Sequence, residues 1–255
     1  MSGTKTEPDD MITHNLQAFE KEKAVDMFSE YVLQKPEQVI FDSLNLKDMH
    51  VLDLGVGAGR TTPYLASRSK SYIGVDYAAA MVAECKKKFP NREFQVCDAR
   101  NLPFTEPFDC IIFSFNGIDN MPHEDRLATL RSIHRLLKPG GYYVFSTHNI
   151  SGARKLFSVQ LNRNLRRTWM SLRRWYKTRS INPSWKVISG QDYFVINEGA
   201  HALKLKQYYI KPLAQKKQLQ SAGFTDIRVF DLPGHELSEP YASGDSWLYY
   251  VCRKP

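Results

Sequence analysis

Between positions 50 and 147 the chain repeats one unit: a short apolar run, a turn, then a stretch with helical spacing. The apolar runs fall at 50–54, 72–76, 94–98, 108–114 and 142–147, and helical patterns lie between them at 60–67, 78–89 and 126–137. Short strands alternating with helices predict βαβ units, hence a parallel sheet with helices on both faces. The fourth run, Phe108-Asp109-Cys110-Ile111-Ile112-Phe113-Ser114, is almost continuously apolar and predicts a strand covered on both sides. In 126–137, Leu127, Leu130, Ile133, His134 and Leu137 share one helix face, and Lys138-Pro139-Gly140-Gly141 signals the helix end and a turn.

Outside this span the pattern differs. Residues 1–13 read as a tail. Leu16, Phe19, Val25, Phe28, Val32 and Leu33 suggest one helix, and Val39, Ile40, Ser43 and Leu44 a second that starts at Pro36. After His148 the alternation stops. It resumes with a helix at 212–222, Gly223, and strands at 226–231 and 247–252. The expected division is therefore N-terminal helices and sheet core over 1–148, an insertion over 149–211, and completion of the sheet over 212–255.

The 255 residues, 42% hydrophobic and 24% charged, suit one large soluble domain with an insertion. No run approaches the ~18 apolar residues of a membrane span. The polar N-terminus carries no leader pattern, and Cys85, Cys97, Cys110 and Cys252 form no CxxC pair, so reduced thiols, a cytoplasmic setting and no metal site are expected. The net charge of +8 is unevenly distributed. Residues 126–191 hold 14 Lys and Arg and no Asp or Glu, which leaves the rest of the chain net acidic. Such asymmetry points to an anionic partner.

The strongest local signal is Val51-Leu52-Asp53-Leu54-Gly55-Val56-Gly57-Ala58-Gly59-Arg60, where a strand turns into a helix. The glycines run G-x-G-x-G rather than the G-x-G-x-x-G of a dinucleotide site, and Asp53 stands two residues before them. A carboxylate there repels phosphate and suits an ammonium group. Asp76 ends the second strand, placed for a ribose diol. Asp98 ends the third, placed for an adenine amino group. An adenosine joined to an amino acid without phosphates is S-adenosylmethionine.

Five stretches, VLDLGVGAG, YIGVDYAAAM, FQVCDARNLPF, FDCIIFSFNGIDN and LLKPGGYYVFSTHN, in this order resemble the class I S-adenosylmethionine-dependent methyltransferases, as does the tail LQSAGF…VF…WLYYVCRK. The resemblance covers about 51–147 and 212–253. It implies a Rossmann-like α/β fold with a seven-stranded sheet whose last strand is antiparallel. It also implies cofactor roles for Asp53, Gly55, Val56, Gly57 and Gly59 around the methionine part. Asp76 would bind the ribose, with Tyr77 and Met81 flanking the adenine. Asp98 and Ala99 would take the adenine edge, and Ser114 would lie near the methionine carboxylate. S-adenosyl-L-homocysteine would be the product.

Methyl transfer is an in-line displacement at a sulfonium, so alignment dominates, and a base is needed when the acceptor atom must lose a proton. His148, directly after the fifth strand, suits a general base, and Asp119, after the fourth, suits proton acceptance or orientation. His201, Tyr208 and Tyr209 in the insertion are candidate acceptor contacts. DNA amino-methylating enzymes of the class carry an N-P-P-Y-like element where this chain reads Ser114-Phe115-Asn116-Gly117, which argues against base methylation of that kind. Neither paired glutamates of the arginine-methylating type nor a Lys-Asp-Lys-Glu tetrad is present. The expected acceptor is a small molecule or glycan, methylated at oxygen and possessing anionic character. An RNA methyltransferase and a catalytically silent cofactor-binding scaffold remain alternatives.

Within the insertion, Leu161, Leu165, Trp169, Leu172 and Tyr176 recur at three and four residues among nine Lys and Arg between Arg154 and Arg179. This predicts an amphipathic helix with a cationic polar face, in an insertion expected to act as an acceptor-binding lid. Its partner is left open between the protein's own core, an anionic acceptor, and a nucleic-acid or membrane surface.

Overall fold

The structure, a computed structural model, describes residues 11, 15, 16, 32–197 and 205–255. The first expected N-terminal helix falls largely outside the described residues, as does His201.

The repeating unit folds as β1 (His50–Leu54), α2 (Thr62–Arg68), β2 (Ser71–Asp76), α3 (Ala79–Lys88), β3 (Glu93–Val96), β4 (Phe108–Phe113), α4 (His123–Leu136) and β5 (Leu137–Asn149), preceded by α1 (Lys35–Ser43). The C-terminal part supplies α8 (Pro212–Ser221), β8 (Thr225–Phe230), β9 (Glu236–Leu237) and β10 (Trp247–Arg253). Between them lie α5 (Ile150–Ala153), α6 (Leu165–Ile181), α7 (Trp185–Gly190), β6 (Tyr193–Asn197) and β7 (Lys206–Ile210).

The sheet runs β3-β2-β1-β4-β5-β10-β8-β9. Strands β1 to β5 are parallel to one another, and β10 is antiparallel to both β5 and β8. The first seven strands of that order match the expected ladder. Among the described residues the sheet nevertheless has ten strands rather than seven. Strand β9 extends it beyond β8, and the insertion contributes β6 and β7. Strand β4 pairs with β5 up to Phe113↔Phe145, and β7 joins β5 further on at His148↔Tyr209 and Asn149↔Ile210. The insertion is therefore stitched into the sheet at the carboxyl end of β5.

Alternation along the central strands divides the core. Leu52, Ile111, Tyr143 and Phe145 point to one face with Leu130 and Ile133 of α4 and Leu219 of α8. Val51, Ile112 and Val144 point to the other with Ile40 and Phe41 of α1, Leu65 of α2 and Val82 of α3. Both faces are covered, which is why the strands read as continuous apolar runs.

Two local expectations change. The Lys138-Pro139-Gly140-Gly141 turn lies within β5, not before it. Phe108 pairs with Leu137 and Cys110 with Tyr142, so these four residues bulge out of register, with Gly140 at φ +77°. The amphipathic pattern from Leu161 is also displaced. Helix α6 begins after Asn164, whose side chain caps it by accepting from the backbone N–H groups of Arg166 and Arg167 at 3.0 and 3.3 Å, so Leu161 lies outside the helix. Its apolar positions do not enter a core: Leu165, Trp169, Leu172 and Tyr176 are all exposed. The protein-facing side is instead marked by buried Thr178 and by Trp175, whose Nε1 donates to the Phe157 carbonyl at 3.1 Å.

At the β1–α2 junction Gly59 adopts φ +87°, and a Cβ there would sit 2.6 Å from the Phe89 ring and 3.3 Å from Cys85 Sγ. Gly59→Ala is expected to cost about 1–3 kcal/mol, measurable as a lowered Tm. An unchanged Tm would show that this close approach is not needed.

Candidate active site

The carboxyl ends of β1, β2 and β4 open into a cavity of about 580 Å³. Of the residues expected to hold the cofactor, Asp53, Gly55, Val56, Gly57, Asp76, Tyr77, Met81, Asp98, Ala99 and Ser114 all line it. Gly59 does not; it is turned toward α3.

Each carboxylate is set differently. Asp76, buried at the end of β2, accepts from Gly57 N–H and Ala78 N–H, both at 2.9 Å, so the Gly loop and the start of α3 hold one carboxylate between them. Asp53 accepts from Thr61 Oγ1 at 2.5 Å and Tyr72 Oη at 2.8 Å. Burial raises its pKa to about 6 against the lowering pull of those two hydrogen bonds and of Arg60. Burial also raises Asp98, but the Arg100 side chain and backbone N–H outweigh it and hold the carboxyl below its usual range.

Beside this cavity lies a cluster that the sequence does not announce. Glu37 of α1 is fully buried and forms a two-pronged ion pair with Arg60, in which Nη2 donates to Oε1 at 2.6 Å. The same Oε1 accepts from Ser114 Oγ and from Tyr249 Oη. Arg60 lines the cavity, reaches Ser114 Oγ at 3.2 Å and lies 5.0 Å from the centroid of the Phe115 ring. Arg60 follows the glycine loop directly, which is the one sequence signal for it. Glu37 looks like an ordinary first-turn helix acid.

At the end of β4 the backbone turns sharply, with Phe115 and Asn116 both left-handed at φ +53° and +62°. This strain holds Asn116 against β5, its N–H donating to Ser146 Oγ at 2.8 Å. Beyond it, Asp119 is completely buried and saturated. Its Oδ1 accepts from Arg126 Nη1 and Thr147 Oγ1, both at 2.6 Å, and its Oδ2 meets the backbone N–H and the Nδ1 of His148, both at 2.7 Å. Donation from Nδ1 to a carboxylate fixes the tautomer and leaves Nε2 as the acceptor. Nε2 lies 3.3 Å from Asn116 Nδ2. Asp119 does not line the cavity, so its effect reaches it only through His148.

His148 and Trp247 also wall an annex of about 170 Å³ with Lys155, Leu156 and Tyr209. The Tyr209 ring lies 4.7 Å from that of His148. Tyr208 faces the other way. It is fully buried, its hydroxyl bonded to His123 Nδ1 at 2.7 Å and its ring 4.5 Å from the Arg126 guanidinium. Its contacts are with the network behind Asp119, not with either cavity.

Residues 51–141 match the family described as a methyltransferase domain. An uncharacterized methyltransferase of Oceanobacillus iheyensis is 29% identical over 117 residues, covering 46% of this chain and 54% of that protein. A demethylmenaquinone methyltransferase of Paenarthrobacter aurescens is 29% identical over 201 residues, 77% of this chain and 71% of that protein. The chain spans about half the length of the first curated relatives it matches. The crystal structure of the Burkholderia thailandensis 1,6-didemethyltoxoflavin-N1-methyltransferase, with 1,6-didemethyltoxoflavin and S-adenosylhomocysteine bound, shares the fold at a TM-score of 0.65 and 15% identity, covering 100% of this chain and 93% of that one. Residues 51–141 are therefore a methyltransferase domain, set in the fold that S-adenosylmethionine-dependent methyltransferases share. The cofactor of that class is S-adenosylmethionine.

The cavity fits that cofactor chemically. Asp53 is a buried carboxylate bonded to two hydroxyls, and a bound ammonium would relieve its desolvation. A carboxylate raised in the folded state favours folding when protonated, so the stability it lends is lost as pH rises through about 6. A cationic ligand reverses this by favouring the ionised form. S-adenosylhomocysteine is therefore expected to raise Tm more at neutral pH than below about pH 6. Asp53→Asn should weaken its binding roughly tenfold or more while leaving the ligand-free protein at least as stable. Calorimetric titration and thermal melts at two pH values check both outcomes. Equal affinity in the variant would remove Asp53 from the site.

Proposed function

We propose that the protein transfers the methyl group of S-adenosylmethionine to a hydroxyl oxygen of a small-molecule or glycan-type acceptor, with His148 as the general base. The observation that carries this reading is the placement of His148. Its ring belongs to the walls of both the cofactor-sized cavity and the annex, while its Nδ1 is bound to a buried, saturated carboxylate. An amine or thiolate acceptor can react without such a base, whereas a hydroxyl must lose its proton as the new bond forms.

S-adenosylmethionine supplies a methyl group already activated on a sulfonium. The chain's own residues then have three tasks. Gly57 and Ala78 orient Asp76, and Asp53 offers its charge to an ammonium. Arg60, itself clamped by Glu37, presents a guanidinium at the Ser114 end, suited to a carboxylate. At the acceptor, His148 takes the hydroxyl proton at Nε2. Asp119, itself held by Arg126 and Thr147, keeps the ring oriented.

The annex bears on the acceptor's size. A cavity of about 150 Å³ accommodates benzene, so 170 Å³ admits one ring-sized group. Its aromatic wall of Tyr209 and Trp247 suits a flat ring, and Lys155, exposed at its edge, suits an anionic substituent. The Paenarthrobacter and Burkholderia relatives are both named for small-molecule acceptors, which supports that class.

His148→Gln is expected to lower kcat by about 10²–10⁴-fold with S-adenosylhomocysteine affinity unchanged. The check is transfer of labelled methyl to a panel of phenols, hydroquinones and acidic sugars. A variant as active as the wild type on every acceptor that is methylated would sink the base assignment. Labelling of amines or thiols but not hydroxyls would sink the oxygen assignment.

A further inference from the structure

Helix α6 has an exposed apolar stripe, in which, among the described residues, only the Trp169 ring has a neighbouring cation over it, the Arg173 guanidinium of the same helix at 5.6 Å from its centroid. At about 100° per residue, Leu165, Trp169, Leu172 and Tyr176 fall within an arc of about 60°, and Leu165, Trp169 and Tyr176 are 83%, 59% and 71% exposed. Cations flank the arc on both sides, with Arg179 on one and Arg166, Arg173 and Lys177 on the other. The remaining face, with Thr178 and Trp175, seats the helix on the segment around Phe157. At 17 residues α6 is about 25 Å long. It is too short and too charged to cross a bilayer, and among the described residues no helix is long and apolar enough to do so.

We infer that α6 is an interfacial helix that docks the protein on an anionic lipid bilayer, its apolar stripe sunk among the acyl chains and its flanking Arg and Lys among anionic headgroups. Charge complementarity selects this occupant. The 66 residues from Arg126 to Gln191 contain no acid, so a second copy laid on the stripe would bring cation against cation. A nucleic acid would satisfy the cations but leave Leu165 and Leu172 in water. An anionic bilayer meets both demands, and polybasic segments gain appreciably at such a surface. The docked helix also rests on the segment that supplies Lys155 and Leu156 to the annex. Docking therefore places the lipid surface on the helix that packs against this segment of the annex wall. The docking itself does not depend on which acceptor is methylated.

The test is co-sedimentation of the full chain with vesicles of phosphatidylcholine alone or mixed with phosphatidylglycerol. The mixed vesicles should bind it at least about tenfold more tightly, with affinity falling as salt rises. Leu165→Ser with Trp169→Ser should weaken that binding about tenfold or more while leaving Tm and S-adenosylhomocysteine affinity unchanged. Arg166→Ser with Arg173→Ser should remove the preference for anionic vesicles. The inference is overturned if the wild type ignores the mixed vesicles or if the apolar double variant binds them as well as the wild type. It is also overturned if α6 mediates a dimer in solution that the same variant dissolves, or if single-stranded RNA binds tightly where vesicles do not.

Discussion

The buried pair of Asp119 and Arg126 fixes the acceptor side of the molecule. Two full charges are removed from water here, which is tolerable only because nearly every polar atom has a partner. Asp119 takes four donors. Arg126 spends its other prong on Thr147 Oγ1 at 3.0 Å and Gln215 Oε1 at 2.6 Å, with the Tyr208 ring across its face. These partners come from the loop after β4, from α4, from the end of β5, from α8 and from β7. One ion pair thus ties both arms of the central sheet, the C-terminal helix and the insertion to the position of a single imidazole. Loss of either member would strand the other, at a cost of about 3–5 kcal/mol, and would release His148 in the same event.

The cofactor side is built the same way around a different pair. Glu37 comes from α1, Arg60 from the glycine loop, Ser114 from the end of β4 and Tyr249 from β10. Their convergence means that the glycine loop is anchored from both sides, by Glu37 through Arg60 and by Asp76 through Gly57. The two clusters meet in the strained turn at Phe115 and Asn116, whose side chains touch Arg60 in one direction and His148 in the other. That turn is where a left-handed backbone is useful, because it turns two successive residues into the cavity at the end of β4.

How much of this was legible in the sequence follows from how local each signal is. The strand ends carrying Asp53, Asp76 and Asp98 could be placed because a parallel sheet puts its ligand at those ends, and each acid sits within a few residues of its strand. His148 and Asp119 could be singled out for the same reason. Their bond to each other could not, since 29 residues separate them. Glu37 was invisible because a helix beginning at a proline commonly carries an acid in its first turn, and nothing local reveals that it is buried. Tyr208 and Tyr209 are adjacent and chemically alike, yet alternation along β7 sends one into the Arg126 network and the other to His148. The ten-strand sheet was missed because the Tyr193–Asn197 run, though aromatic and β-branched, lies where the helix–strand rhythm has stopped.

The amphipathic pattern of α6 shows where such legibility ends. Periodicity gives the angular position of an apolar stripe but not the identity of what meets it. In α4 the same kind of pattern faces the sheet, and the buried side even admits Arg126, because Asp119 and Gln215 are there to receive it. In α6 the roles are reversed: a small polar residue and one tryptophan face the protein, and the leucines face outward. A chain that merely solvated this helix would gain by placing polar residues at Leu165, Leu172 and Tyr176, since exposed apolar area of this extent favours association. Keeping them in a stretch purged of acids is a combination that water does not reward and an anionic interface does.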